Sequence, residues 1–236
     1  MTVLDLVPLE QHPDDGFGAL ARSFERAADT LETPHPSTLR NRHLPVAFLR
    51  RHAVELYLKS LIVMLHEGLQ IPYVGEGRPF DRRVRTGDRC QSLHSTHDLL
   101  PLYQDLVDFL PIAESMLRQN PGLDLTLPSE CERWVKTVGT NDPASTLFRY
   151  PQSGDSQKDR EKDSIKPIGL SDLFAEIKAP TGRKVINIAT SSAGEVMQVF
   201  GHDPAPLAAT VDALRSLTAA LGEFQRKVMR QLFDAS

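Results

Sequence analysis

The chain has 236 residues, of which 40% are hydrophobic and 25% are charged, and its formal net charge is −4. This composition predicts a globular protein with one sizeable core, and it excludes the global basic field of many nucleic-acid-binding proteins. Only two cysteines are present, Cys90 and Cys131, so neither a disulfide framework nor a zinc site is predicted. The acidic N-terminus lacks a signal-peptide pattern and no apolar run reaches membrane-spanning length, which predicts a cytoplasmic protein without a membrane partner.

Helical periodicity recurs along most of the sequence and predicts an all-α helical bundle that forms one domain over residues 1–236. A first amphipathic helix is predicted over residues 17–31. Residues 44–67 contain no glycine and are apolar over most of the helix circumference, which predicts one long, largely buried central helix. Pro204 or Pro206 begins a last amphipathic helix that continues to the end of the sequence.

One stripe of the predicted central helix is polar. It combines aromatic, aliphatic, basic and acidic side chains at three- and four-residue spacing: Phe48, His52, Glu55, Lys59, Ile62 and His66. Glu55 precedes Lys59 by four residues, which is the favourable order for an ion pair within a helix. Buried charges need partners, so the stripe is either a salt-bridged seam between core helices or a polar pocket between them.

Three segments lack a clear helical period. Residues 69–95 are rich in Gly, Pro and Arg and predict a long basic loop, which is either simply solvated or a contact for RNA or phosphate. Residues 152–166 are polar and nearly free of apolar side chains, which predicts a flexible segment. Ile165, Ile168 and the apolar run at residues 185–188 predict a small hairpin or irregular insertion.

The sequence motifs of several common enzymes are absent: the P-loop, the dinucleotide-binding glycines, the His-Glu-x-x-His zinc motif and the nucleophile elbow. His94 and His97 are the nearest approach to a metal pair, but no further ligand with suitable spacing accompanies them. Neither a metal nor another cofactor is predicted. Residues 95–98, Ser-Thr-His-Asp, are instead typical of a capped helix start with an acid in the first turn.

Three segments occur in a characteristic order: residues 55–61 (ELYLKSL), residues 96–99 (THDL) and residues 148–151 (FRYP). In this order and spacing the chain resembles the HEPN superfamily, helical-bundle proteins of prokaryotic defence and toxin–antitoxin systems. The resemblance covers roughly residues 48–151. It implies a bundle that commonly dimerises, a partner such as an antitoxin and, in active members, a metal-independent ribonuclease in which the RNA 2′-hydroxyl is the nucleophile, His handles a proton and Arg holds the phosphate charge.

The resemblance implies Arg149 and His97 as catalytic candidates. The family signature, an Arg followed by a His after four to six residues, is not fulfilled at Arg149, because residues 152–155 contain no His. Arg89 and His94 have the required spacing and form a weaker candidate pair, since such matches also occur by chance.

The alternative function is binding without cleavage. His52, Glu55, Lys59, Asp98 and Tyr150 would then line a site for a nucleotide, nucleic acid or protein partner together with Arg149 and His97, with Arg for phosphate and Tyr for stacking. A scaffold bundle in a larger complex is a third hypothesis. Simple helix capping by Asp98 and an ion pair between Arg149 and Glu55 are the structural explanations of the same residues.

Overall fold

A computed structural model of the chain describes residues 7–33, 41–73, 82–117, 125–169, 171, 173–174, 178, 184–194 and 196–233. Within these ranges the protein is mostly helical, and the helices are α1 (Phe17–Glu32), α2 (His43–Gly68), α3 (Leu99–Leu117), α4 (Cys131–Asn141), α5 (Ser156–Glu161) and α6 (Ala208–Phe233). The strands are β1 (Arg83–Thr86), β2 (Arg89–Ser92), β3 (Ile165–Ile168), β4 (Lys184–Thr190) and β5 (Val196–His202). The predicted mostly helical character is therefore confirmed.

Helix α2 packs against α1, α3 and α6. It is buried along most of its length because apolar side chains cover nearly its whole circumference, as Tyr57, Leu61 and Leu65 illustrate with no measurable exposure. Pro45 lies in the first turn, where a missing backbone N–H costs no intrahelical hydrogen bond. The polar stripe of α2 is thus enclosed by neighbouring helices over most of its length.

The prediction of a loop throughout residues 69–95 is wrong for its second half. Strands β1 and β2 pair as an antiparallel hairpin, and a 3₁₀ turn, Leu93–Ser95, follows it. Gly87 has a φ of 61° in the tight turn, a conformation that glycine adopts without strain. Only Val84 of the hairpin is fully buried, so the strands lack the repeated apolar alternation by which a sequence reveals them. Residues 74–81 lie outside the described residues.

Residues 152–166, predicted as a flexible segment, contain regular structure. Helix α5 occupies its middle, and the Asp155 side chain caps it by accepting from the backbone N–H groups of Gln157 and Lys158. Lys162 is 3% exposed, and Ser164 is also buried. A polar composition suggested disorder, but here the polar groups are satisfied by one another and by backbone carbonyls.

The insertion predicted near Ile165 and Ile168 is a three-stranded antiparallel sheet of order β3-β5-β4. Pairing joins Ile165 to His202 across β3 and β5, and the apolar run at residues 185–188 belongs to β4. With this sheet and the β1–β2 hairpin, the strict all-α class is corrected to a mostly helical fold with two small sheets among the described residues. None of the described helices is long and apolar enough to cross a membrane.

Candidate functional site

The carboxylate of Glu55 is the centre of a buried charge cluster on α2. Its Oε1 accepts hydrogen bonds from Lys59 Nζ and His97 Nδ1, both at 2.9 Å, and its Oε2 accepts from Arg51 Nη1 at 3.2 Å. Glu55 is 1% exposed. Burial alone would raise the pKa of Glu55, but the Lys59 ammonium and the His97 hydrogen bond outweigh it and hold the pKa below its ordinary value. The cluster therefore contains an ionised carboxylate.

His97 connects this cluster to solvent, because its side chain is 55% exposed while Glu55 is enclosed. An ionised carboxylate only accepts hydrogen bonds, so we assign the proton to His97 Nδ1. In the neutral ring Nε2 then carries a free lone pair. A histidine that is oriented in this way by a carboxylate can accept a proton from a bound hydroxyl group and return it in a later step.

Arg51 is the residue of the cluster that the sequence analysis missed. It is 1% exposed, and its Nη2 donates to the backbone carbonyl of His97 at 2.8 Å. Its Nε forms a 3.0 Å ion pair with Asp142 Oδ2, without the alignment of a hydrogen bond. Arg51 precedes Glu55 by four residues, so the spacing that identified Lys59 could also have identified it. No local pattern points to Asp142, which is 91 positions from Arg51 in the sequence.

Arg149 lies on an aromatic layer at the edge of the cluster. Its guanidinium carbon is 5.8 Å from the ring centroid of Phe48, and that ring stacks on His52 with a centroid distance of 6.2 Å. The rings of Phe24 and His52 are arranged edge to face, with their centroids 4.5 Å apart. Burial lowers the pKa of His52, and the charges of Lys59 and Arg149 lower it further against the opposing effect of Glu55. His52 is thus neutral at pH 7 and lies within electrostatic reach of both Glu55 and Arg149.

The ion pair between Arg149 and Glu55, which was the structural explanation of Arg149, is not formed. The cationic partners of Glu55 are Arg51, Lys59 and His97. Arg149 itself is exposed, and so is the ring of Tyr150, at 50%. Arg149 consequently keeps a guanidinium face available to an anionic ligand.

The other predicted residues are dispersed. Asp98 Oδ1 accepts from Leu100 N at 3.1 Å, which is a helix cap, and Asp98 lines a separate cleft of about 540 Å³ between the β1–β2 hairpin, α3 and α4. Arg89 is exposed on β2, whereas the His94 ring lies 5.6 Å from Phe17. Among the described residues no hydrogen bond or ring contact joins Arg89 to His94. The His94 carbonyl, however, accepts from Lys59 Nζ at 3.4 Å, which places this residue beside the cluster.

Within the described ranges, no group of three or more His, Cys, Asp or Glu side chains is arranged to hold a metal ion. No protein-family model matches the chain, and neither the curated proteins nor the solved structures provide a match. The function is therefore inferred from the residues of the site.

Proposed function

We propose that the chain is a HEPN-like protein that acts on RNA as a metal-independent endoribonuclease. The observation that carries the proposal is the pair formed by buried Glu55 and solvent-accessible His97, with Arg149 over the ring of Phe48 on the same polar stripe of α2. A base with an oriented nitrogen and a cation that has no acidic partner among the described residues are suited to cleavage by the RNA 2′-hydroxyl.

In the proposed reaction, His97 Nε2 accepts the proton of the 2′-hydroxyl while the 2′-oxygen forms a bond to the adjacent phosphorus. The bond from phosphorus to the 5′-oxygen breaks, and the His97 imidazolium returns its proton to that oxygen. The products are a 2′,3′-cyclic phosphate and a 5′-hydroxyl end. Glu55 stabilises the imidazolium, and Arg149 stabilises the charge that develops on the phosphoryl oxygens.

The proposal also covers the domain architecture, the oligomeric state and the protein partner. The chain is one HEPN-like domain with α2 as its long central helix, and it functions as a cytoplasmic homodimer in a defence or toxin–antitoxin system, with a protein partner such as an antitoxin. Support comes from the packing of α2 against α1, α3 and α6. Size-exclusion chromatography with light scattering tests the dimer directly, because a mass near 26.3 kDa would indicate a monomer.

The test of catalysis is cleavage of a labelled RNA by the purified full-length chain in EDTA. We expect His97→Ala to lower kcat by about 100-fold or more, since that is the usual contribution of a general base. Arg149→Ala should reduce kcat/KM by a similar factor, whereas the Arg89→Ala/His94→Ala double variant should remain active. His202→Ala and Arg133→Ala are matched controls on β5 and α4. Folded wild-type protein without activity, or activity that persists in both main variants, would contradict the proposal.

A second candidate function is binding without cleavage, and the exposed ring of Tyr150 next to Arg149 favours it. An arginine backed by Phe48 and a neighbouring exposed aromatic ring are suited to a phosphate and a base of the same nucleotide. The ligand would be a nucleotide or single-stranded nucleic acid. Fluorescence titration of a labelled oligonucleotide should then show binding by an inactive wild type, with affinity reduced about tenfold in Arg149→Ala and in Tyr150→Ala.

A further inference from the structure

Arg149 is carried by a short turn rather than by a helix or strand. The backbone N–H groups of Arg149 and Tyr150 both donate to the carbonyl of Thr146, at 3.2 and 3.1 Å. Two such hydrogen bonds do not by themselves fix a five-residue turn at the protein surface. Other groups must hold it if Arg149 is to meet a phosphate in one place.

Lys162 is one of these groups. It is 3% exposed, and its Nζ donates to the carbonyl of Leu147 at 3.0 Å, the carbonyl of Tyr150 at 2.8 Å and Asp159 Oδ1 at 2.7 Å. An ammonium group has three N–H donors, so all of them are used within the protein. The hydrogen bond from Lys162 also lowers the pKa of Asp159 to about 2, so this acceptor stays ionised. Two of the three contacts are with backbone carbonyls of the turn, one before and one after Arg149.

Asp142 holds the opposite side of the turn. Its Oδ1 accepts from the backbone N–H of Thr146 at 2.7 Å and of Leu147 at 2.9 Å, while its Oδ2 faces Arg51. Asp142 is 2% exposed, so these hydrogen bonds are protected from competing water. A buried anion thus binds the free N–H groups of the turn, and a buried cation binds its carbonyls.

We infer that Lys162 and Asp142 are positioning residues for Arg149: together they fix the turn at residues 146–150 so that the guanidinium is held over the Phe48 ring, on the stripe of α2 that also carries Glu55. This inference rests on the proposed role of Arg149 toward RNA. Neither residue touches the substrate in this scheme. Asp142 also connects the turn to His97. Arg51 forms an ion pair with Asp142 and donates to the backbone carbonyl of His97, so the positions of Arg149 and His97 depend on the same buried residues.

A double-mutant cycle distinguishes positioning from plain stabilisation. We expect Lys162→Met to lower kcat/KM for RNA by about 100-fold, the cost of a misplaced group, in the wild-type background. In an Arg149→Ala background the same substitution should change kcat/KM less than about twofold, because the group that Lys162 positions is already gone. A purely structural role would lower activity by the same factor in both backgrounds.

Lys158→Met is the matched control. Lys158 lies in α5, four residues before Lys162, and its Nζ donates to the backbone carbonyls of Thr140 at 3.0 Å and Asn141 at 2.9 Å, neither of which belongs to the turn. We expect this variant to retain wild-type kcat/KM. If Lys162→Met fails to fold, Lys162→Arg is the replacement variant, because it keeps the charge but cannot reproduce the three ammonium contacts. It should lower kcat/KM partially in the wild-type background and leave it nearly unchanged in the Arg149→Ala background.

Hydrogen exchange supplies a measurement without RNA. Exchange of the Arg149 and Tyr150 amides should accelerate about tenfold or more in Lys162→Met and remain unchanged in Lys158→Met. Unchanged exchange, or an additive double-mutant cycle with an active wild type, would overturn the inference while leaving the proposed function intact. A folded wild type that neither cleaves nor binds RNA would overturn both, whatever the exchange rates.

Discussion

Two buried polar clusters share helix α2, and they differ in their access to solvent. In the first, Glu55 is enclosed but its partner His97 is 55% exposed. In the second, the carboxylate of Asp14 accepts hydrogen bonds from Ser60 Oγ and from Gly18 N, the latter at 2.7 Å, and Gln225 Nε2 donates to Ser60 Oγ at 3.3 Å. The Asp14, Ser60 and Gln225 side chains are all buried.

The comparison shows that burial of polar groups is not in itself a sign of function. Asp14 accepts from the backbone N–H groups at the start of α1 and ties that helix to α2 and α6, which is a structural task. The Glu55 cluster performs a similar task through Lys59 and Arg51, but it also includes the solvent-exposed imidazole ring of His97. Solvent exposure of one member of the cluster therefore distinguishes the candidate site from the purely structural cluster around Asp14.

The largest effect is expected for Glu55→Gln. The substitution removes the charge that compensates Arg51 and Lys59, and breaking a buried ion pair on one side costs about 3–5 kcal/mol. The unfolding free energy from urea denaturation measures this loss, and Glu130→Gln, on the exposed surface before α4, is the control. RNA cleavage by the folded fraction should fall as well, since His97 loses its orienting partner. A loss below about 1 kcal/mol would show that the cluster is hydrated and not truly buried.

Asp14→Ala should be destabilising without a specific effect on the site. The substitution leaves the N–H groups of Gly16 and Gly18 without their acceptor, at a cost of about 2–3 kcal/mol. Ser60→Ala removes one of the contacts and should cost about 1 kcal/mol. Cleavage per folded molecule should equal that of the wild type in both variants. A selective loss of kcat in Asp14→Ala would refute the division between the two clusters.

Contacts between residues that are close in the sequence could be predicted from it, whereas contacts between distant residues could not. Helices α1 and α2 were predicted to within one residue of their observed ends, and the predicted Glu55–Lys59 pair is formed; both predictions rest on spacings of three and four residues. The contact of His97 with Glu55 spans 42 positions, and only the family resemblance brought the two segments together. Local periodicity carries no information about such a contact.

The features that the sequence did not predict also depend on contacts between residues that are distant in the sequence or on contacts with the backbone. The ion pair between Arg51 and Asp142 joins α2 to the C-terminal end of α4, and neither residue looks unusual in its own segment. The polar composition of residues 152–166 predicts flexibility, yet the Lys162 side chain is buried and donates to the carbonyls of residues 147 and 150. Hydrogen bonds from a side chain to backbone carbonyls cannot be predicted from the amino-acid composition of a segment.

The stability of the fold should fall when the pH decreases below about 6.5, the ordinary histidine value. Burial lowers the pKa of His43, His52 and His66 in the folded state, so the unfolded chain binds protons that the folded chain does not. Their stabilising contribution is complete above the unfolded pKa and is lost as the pH falls through the folded values. Thermal unfolding between pH 8 and pH 5 measures it. His66→Phe, which keeps the stacking with Tyr73 and Phe109, should flatten the dependence.

The smallest effect is expected at Asp98, although it adjoins His97 in the sequence. Its carboxylate accepts from Leu100 N at the start of α3, so Asp98→Ala should lower the unfolding free energy by about 1 kcal/mol, the usual value of a helix cap. Asp98→Asn retains a capping oxygen and should be nearly neutral. RNA cleavage should be unchanged in both, because Asp98 is turned toward the helix while His97 is held by Glu55. A loss of cleavage in Asp98→Asn, with stability preserved, would instead assign the carboxylate to the site and extend the functional surface into the cleft beside α3.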